Sequence, residues 1–298
     1  MSDFTSCPYC KFSGPHLRIA EEKRGYLFCQ ECGAVFRDLD PALHKSMTET
    51  VYTTESWGKT RQDSINAHGP RLSFMLDWFH ENSSLNERSR FLDIGAGVGV
   101  LEHVLFEKLK TSEIDLTAIE PVSQNVDFLQ KDYPNIRVLR SDIENVTPDH
   151  HTKLFDIVFC FGVDYLFRNI DLAFGRIKQM LNAKGRVLIS RNVFLEMPCF
   201  WGGRRIKTFN DLVGPNPLIS LFLFKDQYKE LVSRHFRIVS SIVGQEAYFY
   251  GSTPDTVKGQ HLLLDCLRKA EQSHEEQPIK KAGRGLKRLQ KLGVTFER

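Results

Sequence analysis

The sequence predicts an α/β protein in which a mostly parallel sheet follows a small cysteine-rich segment. Residues 90–101 (RFLDIGAGVGVL) have the pattern of a buried strand, a glycine-rich turn and the first turn of an apolar helix. Later apolar runs of strand length alternate with helical patterns, which is typical of parallel strands joined by helices. Two Cys-x2-Cys pairs precede this region, at residues 7–10 and 29–32.

The glycine-rich turn has the composition of a nucleotide-binding turn. Gly95, Gly97 and Gly99 permit a tight turn and a close approach of backbone N–H groups to a ligand, and the next helix begins with free N–H groups. Asp93 ends the strand, where open α/β sheets bind their ligands. A dinucleotide turn, G-x-G-x-x-G, would need its third glycine at Val100. The spacing therefore disfavours a nicotinamide-dependent oxidoreductase, which is the first alternative.

The pattern D-x-G-x-G-x-G at residues 93–99 resembles the first motif of the class I S-adenosylmethionine-dependent methyltransferases. Four later apolar runs follow in the order of that family's strands, and the resemblance extends over residues 64–269. These runs are 116–119 before Glu120-Pro121, 136–139 before Ser141-Asp142, 155–160, and 186–190. The resemblance implies a Rossmann-like seven-stranded sheet, a last pair of antiparallel strands, and S-adenosylmethionine as the cofactor.

The resemblance also implies which side chains hold the cofactor. The glycines would approach its methionine part and ribose, Glu120 would accept hydrogen bonds from both ribose hydroxyls, and Asp142 would accept one from the adenine amino group. Asp93 would orient the turn or contact the methionine ammonium group. The predicted cofactor-binding residues are Asp93, Gly95, Ala96, Gly97, Gly99, Glu120, Pro121, Asp142, Ile143 and Phe161.

The pattern is less informative about catalytic groups. Methyl transfer from a sulfonium is an in-line displacement, so the protein mainly holds donor and acceptor in line in a dry site. Many relatives carry a histidine shortly after the fourth strand, but the matching residues 162–167 (GVDYLF) have none. Asp164 or Tyr165 would lie at the mouth of this strand and could orient or deprotonate an acceptor hydroxyl. The alternative is that both are packing or cofactor contacts.

The two cysteine pairs predict a zinc site. Their spacing, C-x2-C-x18-C-x2-C, suits a tetrahedral four-thiolate site formed by Cys7, Cys10, Cys29 and Cys32. The alternative, two disulfide or redox pairs, is disfavoured by the cytoplasmic location that we expect, since no signal-peptide pattern or membrane-length apolar run occurs. The other cysteines, Cys160, Cys199 and Cys266, are predicted to be buried thiols.

Four segments are predicted along the chain. Residues 1–40 form the zinc ribbon, and residues 41–63 form a linker that folds over the cofactor through Tyr52 and Trp57, unless these two rings merely pack on the surface. The methyltransferase domain is residues 64–270, and residues 271–298 are a basic tail. Within the domain, residues 192–223 are an insertion rich in aromatic residues and proline that would build the acceptor site, followed by a helix at 224–236 and strands at 237–243 and 261–267.

Charge indicates the kind of partner. The net charge is +3, and residues 278–298 hold seven Lys or Arg against one Glu, so residues 1–277 sum to −3. The ribbon holds five basic and six acidic residues, which argues against a grip on nucleic-acid phosphates. We therefore expect a small-molecule or sugar-like acceptor. The alternatives are RNA or protein methylation with the ribbon and tail binding the substrate, and a non-catalytic cofactor-binding protein. The tail suits an anionic membrane surface, an RNA, an acidic face of a second subunit, or no partner.

Overall fold

The computed structural model describes most of the chain. The described residues are 6–19, 25–37, 40–51, 60–82, 85–147, 154–191, 194–195, 200–201, 204–205, 218–245, 260–268, 287, 290 and 296–297. The predicted cofactor contacts of Tyr52 and Trp57, Cys199, most of the insertion at 192–223 and most of the tail lie outside these residues.

The helices and strands follow one another in α/β order after a short β-rich start. In chain order they are β1 (Leu17–Ile19), β2 (Leu27–Phe28), β3 (Val35–Phe36), α1 (Pro41–Val51), α2 (Arg61–Asn82), β4 (Arg90–Ile94), α3 (Val100–Leu109), β5 (Asp115–Ile119), α4 (Ser123–Asp132), β6 (Arg137–Leu139), β7 (Phe155–Phe161), α5 (Ile170–Met180), β8 (Leu181–Arg191), β9 (Phe200–Trp201), β10 (Arg204–Arg205), β11 (Leu221–Phe222), α6 (Lys225–His235), β12 (Phe236–Gln245), β13 (Gln260–Arg268) and β14 (Phe296–Glu297).

A seven-stranded sheet forms the centre of the molecule. Its strand order is β6-β5-β4-β7-β8-β13-β12. The first five strands are parallel, and β13 is antiparallel to both of its neighbours. The predicted α/β fold and the antiparallel pairing of the last two strands are confirmed, and β13 lies inside the sheet, between β8 and β12.

Both faces of this sheet are buried, which explains the nearly continuous apolar runs of its strands. Successive residues of a strand point to opposite faces. On one face, Phe91 and Phe159 pack with α2 and α3, and on the other, Leu92 and Val158 pack in a core that includes α5 and α6. The observed α6, β12 and β13 agree with their predicted positions to within two residues at each end.

A helix that the sequence analysis did not predict occupies the first part of the segment 41–63. Asp40 caps it, because its Oδ1 accepts hydrogen bonds from the N–H groups of Ala42 and Leu43 at 2.9 and 3.0 Å. Pro41 is the first residue of α1, where its missing N–H costs nothing. Thus the pair Asp40-Pro41 is a helix start signal.

The cysteine-rich start of the chain is joined to the rest by a second sheet. Its strand order is β11-β3-β2-β1-β14, so that β11 from the predicted insertion and β14 from the end of the chain flank the three ribbon strands. The ribbon residues Tyr9, Tyr26 and Phe28 belong to the same buried cluster as Phe174 and Phe236 of the larger domain. The ribbon and the larger domain therefore share one core. None of the described helices is long and apolar enough to cross a membrane.

Candidate active site and cysteine cluster

The glycine-rich turn joins β4 to α3 through left-handed backbone conformations. Gly95, Gly97 and Gly99 have φ angles of +73°, +57° and +81°. A Cβ atom on Gly95 would lie 2.6 Å from Val163, and one on Gly99 would lie 2.6 Å from Tyr133, so both positions are also too close-packed for a side chain. Among the described residues, a Cβ atom on Gly97 would have no neighbour within 4 Å. Gly97 thus leaves room in front of the turn.

A cleft of about 720 Å³, counting its open mouth, lies at the carboxyl ends of β4, β5, β6 and β7. This is where an open α/β sheet binds its ligand. Six of the predicted cofactor-binding residues line it, namely Gly95, Gly97, Glu120, Pro121, Asp142 and Ile143. Four others, Asp93, Ala96, Gly99 and Phe161, are not among the described lining residues.

Glu120 is fixed at the end of β5 by hydrogen bonds to its neighbours. Its Oε2 accepts from the Gly97 N–H at 2.7 Å, and its Oε1 accepts from the Val122 N–H at 2.9 Å and from the Asn125 amide at 3.2 Å. The three donors lower the pKa of this carboxyl group, but burial raises it by more, so that the pKa lies above its ordinary value. The carboxylate therefore ties the turn to β5 and has a further lone-pair site for a ligand hydroxyl.

Asp93 lies beneath the turn, where it meets a second buried carboxyl group. Glu102, on α3, is fully buried, and Asp93 is 3% exposed. Burial, followed by the repulsion between the two charges, raises the pKa of Asp93 well above its ordinary value. Burial likewise raises the pKa of Glu102, to about 7. At neutral pH the pair of carboxyl groups therefore retains a proton. The two roles predicted for Asp93, orienting the turn or contacting the methionine ammonium group, stay predictions.

The predicted catalytic residues lie beside the cleft and are not among its described lining residues. Asp164 is 1% exposed, and its Oδ2 accepts a hydrogen bond at 2.7 Å from Nη1 of Arg191, which is fully buried. The guanidinium carbon of Arg191 also lies 4.7 Å from the ring centre of Tyr228. Tyr165 is 8% exposed, and its ring centre lies 6.0 Å from the same guanidinium carbon. The structure thus gives Asp164 a buried cation as its partner.

Helix α1 supplies cleft residues that the sequence analysis missed. His44 and Thr48 line the cleft. The Nε2 atom of His44 lies 3.0 Å from the Leu166 carbonyl, which can only accept, so Nε2 carries the proton. Burial lowers the pKa of this imidazole. The only sequence signal was the cap at residues 40–41, because α1 has few apolar residues to reveal its period.

The four predicted zinc ligands form one cluster. All four Sγ atoms lie within 4.8 Å of one another, with Cys7 to Cys32 at 3.7 Å and Cys10 to Cys29 at 3.6 Å. A tetrahedral site with Zn–S bonds of about 2.3 Å places its sulfur atoms about 3.8 Å apart. The cluster therefore fits a zinc ion, and no disulfide joins any of the described cysteines.

Two similar turns build this cluster. In each, the N–H group of the residue after the second cysteine donates to the carbonyl of the first, from Lys11 to Cys7 at 2.9 Å and from Gly33 to Cys29 at 2.8 Å. Lys11 and Gly33 both have positive φ angles, 63° and 78°. Gly33 adopts this left-handed conformation without steric cost, whereas Lys11 adopts it as a non-glycine residue.

Residues 85–212 match the family described as "Methyltransferase domain". Among curated protein sequences, none is significantly similar to this chain.

Solved structures share the fold at low sequence identity. The N-methyltransferase NodS from Bradyrhizobium japonicum WM9, in complex with S-adenosyl-L-homocysteine, is 13% identical, with a TM-score of 0.50, over 76% of this chain and 98% of that chain. The 1,6-didemethyltoxoflavin-N1-methyltransferase from Burkholderia thailandensis, with bound 1,6-didemethyltoxoflavin and S-adenosylhomocysteine, is 15% identical, with a TM-score of 0.51, over 80% of this chain and 96% of that chain. The plantazolicin methyltransferase BpumL, in complex with S-adenosylhomocysteine, is 14% identical, with a TM-score of 0.50, over 76% of this chain and 95% of that chain.

The matched domain, the sheet order and the cleft at the glycine-rich turn together define a class I S-adenosylmethionine-dependent methyltransferase domain. Residues 85–212 are accordingly a methyltransferase domain, which agrees with the class of enzyme predicted from the sequence.

Proposed function

We propose that the chain transfers the methyl group to a small-molecule or sugar-like acceptor. The observation that carries this proposal is the charge of the cleft. Its described lining residues include three acids, Glu120, Asp142 and Glu144, and no lysine or arginine. A site for RNA or another polyanion needs cationic side chains to neutralise phosphates. The printed names of two similar structures, which concern a toxoflavin precursor and plantazolicin, are compatible with this class of acceptor.

In this proposal the cofactor lies along the cleft from the glycine-rich turn to β6. Glu120 accepts hydrogen bonds from the ribose hydroxyls, Asp142 accepts one from the adenine amino group, and Ile143 packs against the ring. Gly97 lies against the methionine part, because no described residue fills the space in front of it. The acidic side chains of the cleft, Glu120, Asp142 and Glu144, also favour a cation, which suits the sulfonium.

Bound S-adenosylmethionine would supply the methyl group. A lone pair of the acceptor would form the new bond while the electron pair of the broken S–CH3 bond stays on sulfur, and any proton on the attacking atom would be released to solvent. The chain's own contribution is positioning and the exclusion of water. Val163, Leu166 and Phe167 give the cleft an apolar wall after β7. We infer that Asp164 holds this wall in place through Arg191, because the carboxylate is buried and ion-paired.

The acceptor class is tested by a transfer assay with methyl-labelled S-adenosylmethionine and fractionated cell extract. We expect label in the small-molecule fraction. Label in RNA or protein would contradict the proposed acceptor and favour RNA or protein methylation. No transfer to any fraction, with intact S-adenosylhomocysteine binding, would favour the non-catalytic alternative.

We also infer that the cysteine cluster binds one structural Zn²⁺ ion, with all four coordination positions taken by thiolates. Metal analysis of protein purified without chelator should give one zinc per chain. Protein that contains no metal and takes up none from added ZnCl2 would contradict this site.

A further inference from the structure

A short buried segment lies between the ribbon and the cleft. Residues 218–224, here called the strap, are all at most 4% exposed. Their strand β11 pairs with β3 of the ribbon, with Leu221 opposite Phe36 and Phe222 opposite Val35. The strap therefore extends the sheet that carries the second pair of cysteines.

On the ribbon side, the strap receives two hydrogen bonds from residues close to that pair. The hydroxyl of Tyr26 donates to the Ile219 carbonyl, and the N–H group of Arg37 donates to the Ser220 carbonyl at 3.0 Å. Tyr26 directly precedes β2 and Arg37 directly follows β3, and Cys29 and Cys32 lie between these two strands. The strap is thus hydrogen-bonded to the ribbon as well as paired with its strand β3.

On the cleft side, the strap holds the segment 162–167, here called the cleft loop. The N–H group of Ser220 donates to the Tyr165 carbonyl at 2.9 Å. Its hydroxyl lies within hydrogen-bond distance of the carbonyls of Tyr165 and Phe167. Phe167 lines the cleft. Ser220 is 4% exposed, and its backbone and side chain together join ribbon, strap and cleft loop.

Arg191 makes a second connection between the same segments. Its Nη2 donates to the Leu221 carbonyl of the strap at 2.6 Å, while its Nη1 donates to Asp164 of the cleft loop. These partners are all buried in a close-packed interior. A shift of the strap must therefore be accompanied by a shift of the cleft loop or of the surrounding core.

We propose that Ser220 is a positioning residue through which the four-cysteine unit sets the position of the cleft loop and thereby the affinity for the cofactor. The inference rests on the proposed function, because it takes the cleft to be the cofactor site. Replacing Ser220 by alanine keeps its backbone hydrogen bonds and removes only the hydroxyl. The buried Phe167 carbonyl then loses this donor, which favours displacement of the loop.

The test combines metal removal with this substitution in the full-length chain. S-adenosylhomocysteine affinity is measured calorimetrically for the original chain and for Ser220→Ala, each with one Zn²⁺ bound and after chelation. Hydrogen exchange of the amides in 163–167 is measured in the same four states. We expect chelation alone and Ser220→Ala alone each to weaken S-adenosylhomocysteine binding about tenfold and to speed exchange. Independent effects would multiply to about a hundredfold, and we expect the two changes together to weaken binding far less than that.

Ser233→Ala is the matched control, because this hydroxyl also donates to a backbone carbonyl, that of Lys229, on a helix that contacts the ribbon. It should leave affinity and exchange in 163–167 unchanged. Zinc-bound Ser220→Ala should keep one zinc per chain and unchanged exchange in residues 25–37, which separates a local displacement from general unfolding.

Two results would overturn the inference: independent, multiplicative effects of chelation and Ser220→Ala, or wild-type affinity and exchange in zinc-bound Ser220→Ala. If the original chain binds no S-adenosylhomocysteine, the proposed function fails instead. The exchange rates in 163–167 then decide by themselves whether the ribbon controls the loop.

Discussion

Asp93 and Glu102 place two carboxyl groups in the core directly below the glycine-rich turn. Both are almost completely buried, and within the described part of the chain the oxygens of Glu102 have no N–H or hydroxyl donor. The shared proton therefore stabilises the pair, and losing it leaves two negative charges in a medium of low polarity.

This pair predicts a pH dependence of stability. In the unfolded chain Glu102 ionises near its ordinary pKa of 4.5, whereas in the folded chain its pKa is about 7. Between these values the folded state keeps a proton that the unfolded state loses, so the free energy of unfolding falls as pH rises through this window. Glu102→Gln should reduce this loss by on the order of 2 kcal/mol, because glutamine donates without titrating.

Urea unfolding at pH 5 and pH 7.5 of the original chain and of Glu102→Gln measures this difference. Glu107→Gln, on the same helix, is the control. Its side chain is 67% exposed and its ion pair with His103 is screened by water, so we expect it to change the loss of stability by less than about 0.5 kcal/mol. An identical fall in stability for Glu102→Gln and the original chain would contradict the shared-proton account.

At the scale of elements, α1 closes the cleft from the side of β5 and β6. Glu49 fixes its end, since its Oε2 accepts from the N–H group of Ser123, the first residue of α4, at 3.2 Å, and its Oε1 accepts from Arg140 at 2.9 Å. An acid at a helix N-terminus is stabilised by the helix dipole. Glu49 thus holds α1 against both neighbours of the cleft.

We expect Glu49→Gln to speed dissociation of S-adenosylhomocysteine about threefold, with little effect on association. The effect is modest because Arg140 is 55% exposed and its ion pair is screened by water. Stopped-flow kinetics with the Glu107→Gln variant as reference would measure it. An unchanged dissociation rate would show that α1 does not retain the ligand.

The sequence predicted elements best where local pattern and burial agree. The strand, turn and helix at residues 90–109 have a strict period and glycines that only this turn requires, and they lie as predicted. Helix α1 was missed because only His44 and Thr48 of its side chains are buried, so its apolar period is weak. The ion pair of Asp164 could not be foreseen, since Arg191 lies 27 residues away and the two meet only when β7 and β8 pair.

At the scale of the whole molecule, the ribbon and the methyltransferase domain form one buried unit. Besides β11, the side chain of Gln227 on α6 donates to the Cys32 carbonyl at 2.7 Å, and Tyr9 donates to Glu230 at 3.0 Å. Such interlocked segments should unfold together. The spacing of the cysteines gave no information on this packing, because the contacts join residues about 200 positions apart in the chain.

We therefore expect calorimetry to show one unfolding transition that includes the ribbon. Chelation of the metal, or Cys29→Ser, should lower the midpoint of this transition by about 10 °C, because a ligand bound only to the folded state stabilises the whole unit. Two separate transitions, of which only the smaller one responds to chelation, would contradict a shared unit.

The central claim, that the cleft at the glycine-rich turn binds S-adenosylmethionine, is tested most directly by calorimetric titration with S-adenosylhomocysteine. We expect one site per chain, no binding of NADH, and an affinity about tenfold or more weaker in Glu120→Gln, which loses a charged acceptor for the ribose hydroxyls. Glu107→Gln should bind as the original chain does. Tight NADH binding without S-adenosylhomocysteine binding, or full affinity in Glu120→Gln, would contradict it.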